Sequence, residues 1–215
     1  MTERNHMPAA AEYGTVARFV LPGMIVAVIL AATVVGHRGG HWTVAELVRD
    51  PATHFNLPIY AGAVSIIGVM GWVFAAAVTG LAAAVRPDLR STLLPVSLLS
   101  LWLAIDDQFL LHEHVLPGLG IPEMAVLAFY AILALWVLRR FLPGLLTLRL
   151  PTLAIAMLFF AASLVVDEFQ TYSQFGLLLE DFAKLAGIMF WAGFWTAQSA
   201  GMIRHSTRGN GIGHG

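Results

Sequence analysis

The sequence predicts an all-α integral membrane protein, a bundle of six helices that each cross the bilayer. Hydrophobic residues make up 58% of the 215-residue chain and charged residues only 12%, whereas soluble domains carry about 25% charged residues. The chain also contains apolar runs that reach the roughly 20 residues needed to cross the hydrocarbon core as a helix. Together these two observations exclude a soluble globular domain.

The composition excludes further classes of protein and of site. Twelve Lys and Arg residues against 13 Asp and Glu give a net charge of −1, so no basic surface is available to hold a phosphate backbone. We therefore expect no nucleic-acid partner. The chain has no cysteine, which excludes disulfides, thiolate ligands and a thiol nucleophile. Any bound metal must use nitrogen and oxygen ligands.

The apolar runs define the helices in chain order. Their approximate bounds are 16–36, 59–85, 92–114, 122–142, 151–171 and 181–203. Short turns join most of them, so neighbours in sequence should be antiparallel neighbours in space. We expect one domain over 16–203, preceded by a retained cytoplasmic segment, 1–15, and followed by a disordered cytoplasmic tail, 204–215.

The longest connection between predicted spans covers residues 37–56. It contains Thr43 followed three residues later by Glu46, the spacing of a capping box, in which each residue bonds to the backbone N–H of the other. The connection should therefore contain a short helix. Placing both chain termini in the cytoplasm puts this connection outside and brings most of the basic residues inside, as the positive-inside rule requires. These inside residues are Arg4, Arg18, Arg86, Arg90, Arg139, Arg140, Arg149, Arg204 and Arg208.

On this topology, the ionisable side chains of the spans gather in the outer leaflet. Asp106 and Asp107 of the third span lie deepest, where a charge costs about 2.5 to 3.5 kcal/mol on insertion scales. A continuous helix would align Asp106 with Glu113 and Asp107 with His114, because residues seven apart share a face. Lys184 on the sixth span can neutralise part of the acid excess.

A short internal repeat links the third and fifth spans. The sequence LAIDDQF at 103–109 resembles LVVDEFQ at 164–170, and each is followed by an acid near the start of the next span, Glu123 or Glu180. Two helical hairpins would then contribute similar carboxylates to one cluster. Carboxylates and histidines on facing helices form the di-iron and di-manganese sites of four-helix bundles, although the Glu-x-x-His spacing of those proteins is absent.

These patterns predict a divalent metal centre, with zinc, manganese or iron as the metal, or calcium if the histidines do not bind. The general base of a metal-dependent reaction would be Glu113 or Glu168. The predicted ligands are Asp106, Asp107, His112, His114, Asp167 and Glu180.

Other interpretations remain open. Interfacial side chains that reach water explain His112, Glu113 and His114, but explain Asp106 and Asp107 poorly. Intramembrane acids also mark proton or cation paths, and such a path needs polar residues in the inner leaflet as well. A third possibility is a structural or assembly subunit of a larger membrane complex.

Four short stretches resemble a group of small bacterial multi-pass membrane proteins. They are DDQFLLHEH at 106–114, GIPE at 120–123, RDP at 49–51 and LPIYAG at 57–62. The resemblance implies a place in the bacterial inner membrane and no particular activity. The predicted metal site itself favours an enzyme that acts on a lipid or lipid-soluble substrate. The expected partners are the lipid bilayer and either other membrane subunits or further copies of the chain.

Overall fold

The computed structural model describes residues 10–40, 43–143, 150–169 and 174–209, and this part of the chain is helical with no strand. Short turns of 3-10 helix, Pro87–Leu89, and π-helix, Leu111–Val115, flank the fifth α-helix. The α-helices are α1 Ala10–Arg38, α2 Val44–Val48, α3 Pro51–His54, α4 Ala63–Val85, α5 Arg90–Phe109, α6 Leu116–Gly118, α7 Glu123–Leu138, α8 Pro151–Phe169 and α9 Gln174–Gly209.

Helices occur at all six positions where the sequence predicts a span, namely α1, α4, α5, α7, α8 and α9. Among the described residues, two segments are long and apolar enough to cross a membrane, Ala63–Val85 and Pro87–Phe109. Shorter apolar segments lie in three of the other helices: Pro22–Arg38, Glu123–Leu138 and Pro151–Asp167.

The chain divides into two compact units, one ending at Ala61 and one beginning at Gly62, where the sequence predicts a single domain over 16–203. In the first unit, the capping box forms as predicted and starts α2. The Thr43 backbone N–H donates to Oε2 of Glu46 at 2.6 Å, and the Glu46 N–H donates to the Thr43 hydroxyl at 3.2 Å. The bond from the Thr43 backbone lowers the pKa of Glu46 below its ordinary value.

The second unit is built around α4, which packs against α5 and against α9, while α9 also packs against α8. Small residues allow these close approaches. A Cβ added at Gly71 of α4 would lie 2.7 Å from Cγ2 of Ile188, and one added at Gly187 would lie 2.6 Å from the Phe160 ring. Such small-residue contacts are typical of packed membrane helices, because they bring the backbones together.

A cluster of indole rings fills the interior of this unit. Trp191 lies edge-on to Trp72 and to Trp195, with ring centroids 6.0 and 5.7 Å apart. The Trp191 indole N–H donates to the hydroxyl of Ser100 on α5 at 3.0 Å. These contacts join α4, α5 and α9, and the Trp191 indole N–H is satisfied inside the protein.

The turn between α4 and α5 carries an exposed ion pair. Arg86 contacts Asp88 at 2.6 Å. Its guanidinium also donates to the backbone carbonyl of Met202 on α9. This hydrogen bond joins the turn to the C-terminal part of α9.

The prediction of one continuous third helix over 92–114 is wrong. The α-helix ends at Phe109, and Leu110 adopts a left-handed conformation with φ +51°, which is uncommon for a residue with a side chain. A π-helical turn follows. Because the register changes at Leu110, the predicted alignment of Asp106 with Glu113 and of Asp107 with His114 is lost.

Two of the predicted segment boundaries also differ from the structure. Helix α1 begins at Ala10, inside the predicted N-terminal segment 1–15, of which residues 1–9 lie outside the described residues. Helix α9 continues to Gly209, so residues 204–209 of the predicted disordered tail are helical. The remainder, 210–215, lies outside the described residues. Backbone hydrogen bonding continues a helix past the end of its apolar run, and hydropathy does not register this.

Candidate metal centre

Asp106, Asp107 and His112 form one group in which one potential ligand atom from each residue lies within 4.8 Å of the others. Asp106 and Asp107 lie in the last turn of α5, and His112 lies in the π-helical turn that follows. Asp106 is 2% exposed and His112 8% exposed. The group is therefore almost enclosed, and an enclosed charge must find partners inside the protein.

The Asp106 carboxylate accepts hydrogen bonds from three donors. The Tyr130 hydroxyl donates to Oδ1 at 2.9 Å, and the backbone N–H of His112 donates to the same oxygen at 3.0 Å. Nδ1 of the His112 ring contacts Oδ2. Because helix α7 supplies the tyrosine, these bonds also hold the end of α5 and the π-helical turn against α7.

The Asp107 carboxylate faces the other side of α5, toward α4 and α9. Its Oδ2 accepts the Trp72 indole N–H at 2.9 Å, and its Oδ1 lies 2.7 Å from Nζ of Lys184. A cavity of about 40 Å³ beside this ion pair is also lined by Ser65 and Asp181. Lys184 thus neutralises an acid of the group, as the sequence predicts.

The π-helical turn extends this polar group toward the surface. His112 Nε2 lies 3.5 Å from Oε1 of Glu113, and His114 Nδ1 lies 3.8 Å from the second Glu113 oxygen. The side chains of Glu113 and His114 are 40% and 71% exposed. Asp106, His112 and Glu113 therefore form a row that leads from the interior outward.

The other predicted ligands are not in this group. Asp167 is exposed on α8, and Glu180 is partly buried on α9. Neither belongs to the set of potential ligand atoms that the described residues bring together. Glu168 lies in α8, and its side chain is outside the described residues. The interpretation in which the internal repeat joins both acidic pairs at one site thus gains no support from the described side chains.

The sequence does not predict two hydrogen-bond partners of the group, Tyr130 and Trp72. Tyr130 lies in an apolar helix and Trp72 in a helix without any charge, where most aromatic residues serve as packing. A buried tyrosine or tryptophan usually places its polar atom on a partner. That rule predicts a hydrogen-bond acceptor for each of the two side chains, but the sequence does not identify the acceptor.

Chemically, this buried group of two carboxylates and an imidazole could bind a metal ion. Oxygen and nitrogen donors of this kind suit zinc, manganese or iron. The same side chains already compensate one another through the Asp107–Lys184 ion pair and the bonds to Asp106. A metal would therefore join side chains that already have partners inside the protein.

A family model matches residues 23–197 of this chain, which include every residue of the group. The chain belongs to that family, described as Domain of unknown function (DUF8692). Comparison with curated proteins and with solved structures gives no match. For this DUF8692 chain, the geometry of the site is therefore what indicates a function.

Proposed function

We propose that this protein is a multi-pass membrane enzyme that binds a divalent metal in the group around Asp106, Asp107 and His112 and acts on a lipid-soluble substrate. The observation that carries the proposal is that three potential ligand atoms lie within 4.8 Å of one another, on two buried residues, Asp106 and His112, and one partly buried residue, Asp107. In apolar surroundings such groups are costly and usually serve a function.

We propose further that all six long helices cross a bacterial inner membrane, in addition to the two that meet the length requirement. Supporting it are the helices at every predicted position and the strong bias of basic residues to one side. Both termini would be cytoplasmic, with the Asp106 group in the outer leaflet. The bilayer is then the main partner, and further subunits or copies of the chain would contact its lipid-facing helices.

Cysteine labelling tests this orientation, because the chain has no cysteine of its own. A thiol introduced at Gly118, in the turn before α7, should react in intact cells or spheroplasts with a reagent that cannot cross the membrane. A thiol introduced at Ser206 should react only after the membrane is opened. The reverse pattern would contradict both the orientation and an outward-facing site.

An apolar groove supports the choice of a lipid-soluble substrate. It has a volume of about 480 Å³ and lies between α5 and α7, where Trp102, Ile105 and Trp136 line it. Trp102 also lies edge-on to Tyr130, with ring centroids 6.5 Å apart. Because Tyr130 donates to Asp106, an apolar chain in the groove would run beside the polar group.

A bound divalent metal would supply Lewis-acid activation of water or of a substrate oxygen at neutral pH. The remaining roles belong to the chain itself. Asp106 orients His112, and Lys184 offsets the charge of Asp107. Of the two predicted general bases, Glu113 is the one that lies beside the group, within 3.5 Å of His112.

The metal content of purified protein tests the proposal. The wild type should retain a divalent transition metal, and Asp106→Asn should lower its content several-fold, because the neutral amide no longer balances the imidazole and the metal. Glu123→Gln, at the start of α7, is the matched control and should leave the content unchanged. Elemental analysis measures the metal, and thermal melting checks that each variant is folded. A wild type without metal, whose melting is unchanged by chelator, would contradict the proposal.

A second candidate, a proton- or cation-coupled transporter, is favoured by a line of polar groups on α9. Among the described residues, the Trp195 indole N–H and the Ser199 hydroxyl are buried without a hydrogen-bond partner. They continue the helix face of Lys184 and Trp191, because these positions are spaced by seven, four and four residues. Ion-dependent flux into proteoliposomes that is lost in Lys184→Met would favour transport over catalysis.

A further inference from the structure

We propose that the metal ligands are Nε2 of His112 and the carboxylate of Glu113, with Asp106 as a positioning residue and Asp107 outside the coordination sphere. This inference rests on the proposed metal binding and assigns its atoms. It also changes the role of Glu113 from general base to ligand. Three features of the structure support this assignment: the orientation of the His112 imidazole, the spacing of the two donor atoms, and the ion pair that Asp107 already makes with Lys184.

The orientation of His112 leaves one ring nitrogen available. Nδ1 contacts Asp106, whose carboxylate is held in place by the Tyr130 hydroxyl at 2.9 Å and the His112 backbone N–H at 3.0 Å. In metal sites, a ligating histidine commonly donates its other N–H to a carboxylate, which fixes the tautomer and makes the ligand more basic. Asp106 is placed for that role, and Nε2 carries the free lone pair.

The spacing of the two donor atoms fits a shared metal. His112 Nε2 and Glu113 Oε1 are 3.5 Å apart. Two ligands that each bind zinc at about 2.1 Å with tetrahedral geometry lie about 3.4 Å from each other. The two donor atoms are therefore already at the spacing that a shared ion requires. The Glu113 side chain is 40% exposed, so water or substrate can reach the remaining coordination positions.

Asp107 already has a cationic partner. Its two oxygens are engaged by Lys184 at 2.7 Å and by the Trp72 indole at 2.9 Å. A divalent ion on Asp107 would have to displace the ammonium group or lie beside it, and like charges repel strongly where water is scarce. Its role is to balance Lys184.

The π-helical turn explains how the His112 ring reaches Asp106. In an α-helix, residues six apart point to different faces, so His112 would point away from Asp106. The left-handed Leu110 and the wider turn over Leu111–Val115 bring the two together. Short π-helical segments occur frequently at functional sites.

Zinc affinity separates this assignment from one that includes Asp107. Full-length protein in detergent would be titrated with Zn²⁺ against a fluorescent chelator, and with Co²⁺ while its visible absorption is recorded. Glu113→Gln should raise the Kd for Zn²⁺ about tenfold or more and change the Co²⁺ spectrum. Asp106→Asn should raise it by about 10- to 100-fold, as loss of an orienting carboxylate does. The charge-neutral double variant Asp107→Asn/Lys184→Met should stay within about twofold of wild type.

The outcomes distinguish this inference from the proposed function. Unchanged affinity in Glu113→Gln, with loss of binding in Asp107→Asn/Lys184→Met, would overturn the ligand assignment and leave metal binding intact. A wild type that binds neither ion would overturn both. If Glu113→Gln does not fold, Glu113→Asp tests the same contact, because the shorter side chain withdraws the carboxylate from Nε2 of His112 and should change the Co²⁺ spectrum. A Co²⁺ spectrum identical to wild type in that variant would also contradict the assignment.

Discussion

Lys184→Met should lower the free energy of unfolding by about 3 kcal/mol, because it leaves Asp107 without its cationic partner inside the helix unit. The two groups are 2.7 Å apart, and the Asp107 side chain is only 10% exposed. Lys184 itself is 35% exposed, which places the loss at the lower end of the range for a fully buried pair. Denaturation in mixed detergent micelles measures the change.

The matched control for this prediction removes both charges. Asp107→Asn/Lys184→Met should recover most of the lost stability, because replacing a buried ion pair by neutral side chains costs far less than breaking it. The single and double variants together form a double-mutant cycle that isolates the coupling between the two residues. Additive effects, with the double variant less stable than either single variant, would show that the ion pair does not couple α5 to α9.

Asp106→Leu should destabilise the protein by about 3 kcal/mol or more, since a buried donor left without its acceptor costs about 1 to 3 kcal/mol. Asp106 is the acceptor for the Tyr130 hydroxyl, the His112 backbone N–H and the His112 ring. Leucine has a similar branched shape but accepts none of these bonds. Denaturation in mixed detergent micelles measures the change. In the extreme case the variant would be unfolded at ordinary temperatures and would show no cooperative unfolding transition.

Two variants bracket that effect. Tyr130→Phe removes one of the three donors and leaves the carboxylate in place, so it should cost only about 1 to 2 kcal/mol. Asp167→Asn changes an exposed acid on α8 and should stay within about 0.5 kcal/mol of wild type. Equal losses in Asp106→Leu and Tyr130→Phe would mean that the tyrosine bond alone holds the end of α5, contrary to the three-donor description.

The candidate site shows how far sequence reasoning reaches. Asp106, Asp107 and His112 could be singled out because charged residues within apolar runs are costly and stand out against their surroundings. Their partners could not. Tyr130 and Trp72 lie 24 and 35 residues from the acids they contact, and in the sequence they look like the many other aromatic residues of the spans.

The sequence by itself determined the all-helical class, the positions of the long helices and the capping box before α2, because apolar runs and local hydrogen bonding depend only on neighbouring residues. Only the tertiary structure decided where the third helix breaks and which groups meet there. A continuous helix over 92–114 satisfies hydropathy equally well, and a left-handed Leu110 has no local sequence signal. The groups that meet there include Tyr130 with Asp106 and Lys184 with Asp107, and such long-range contacts are invisible to any pattern of near neighbours.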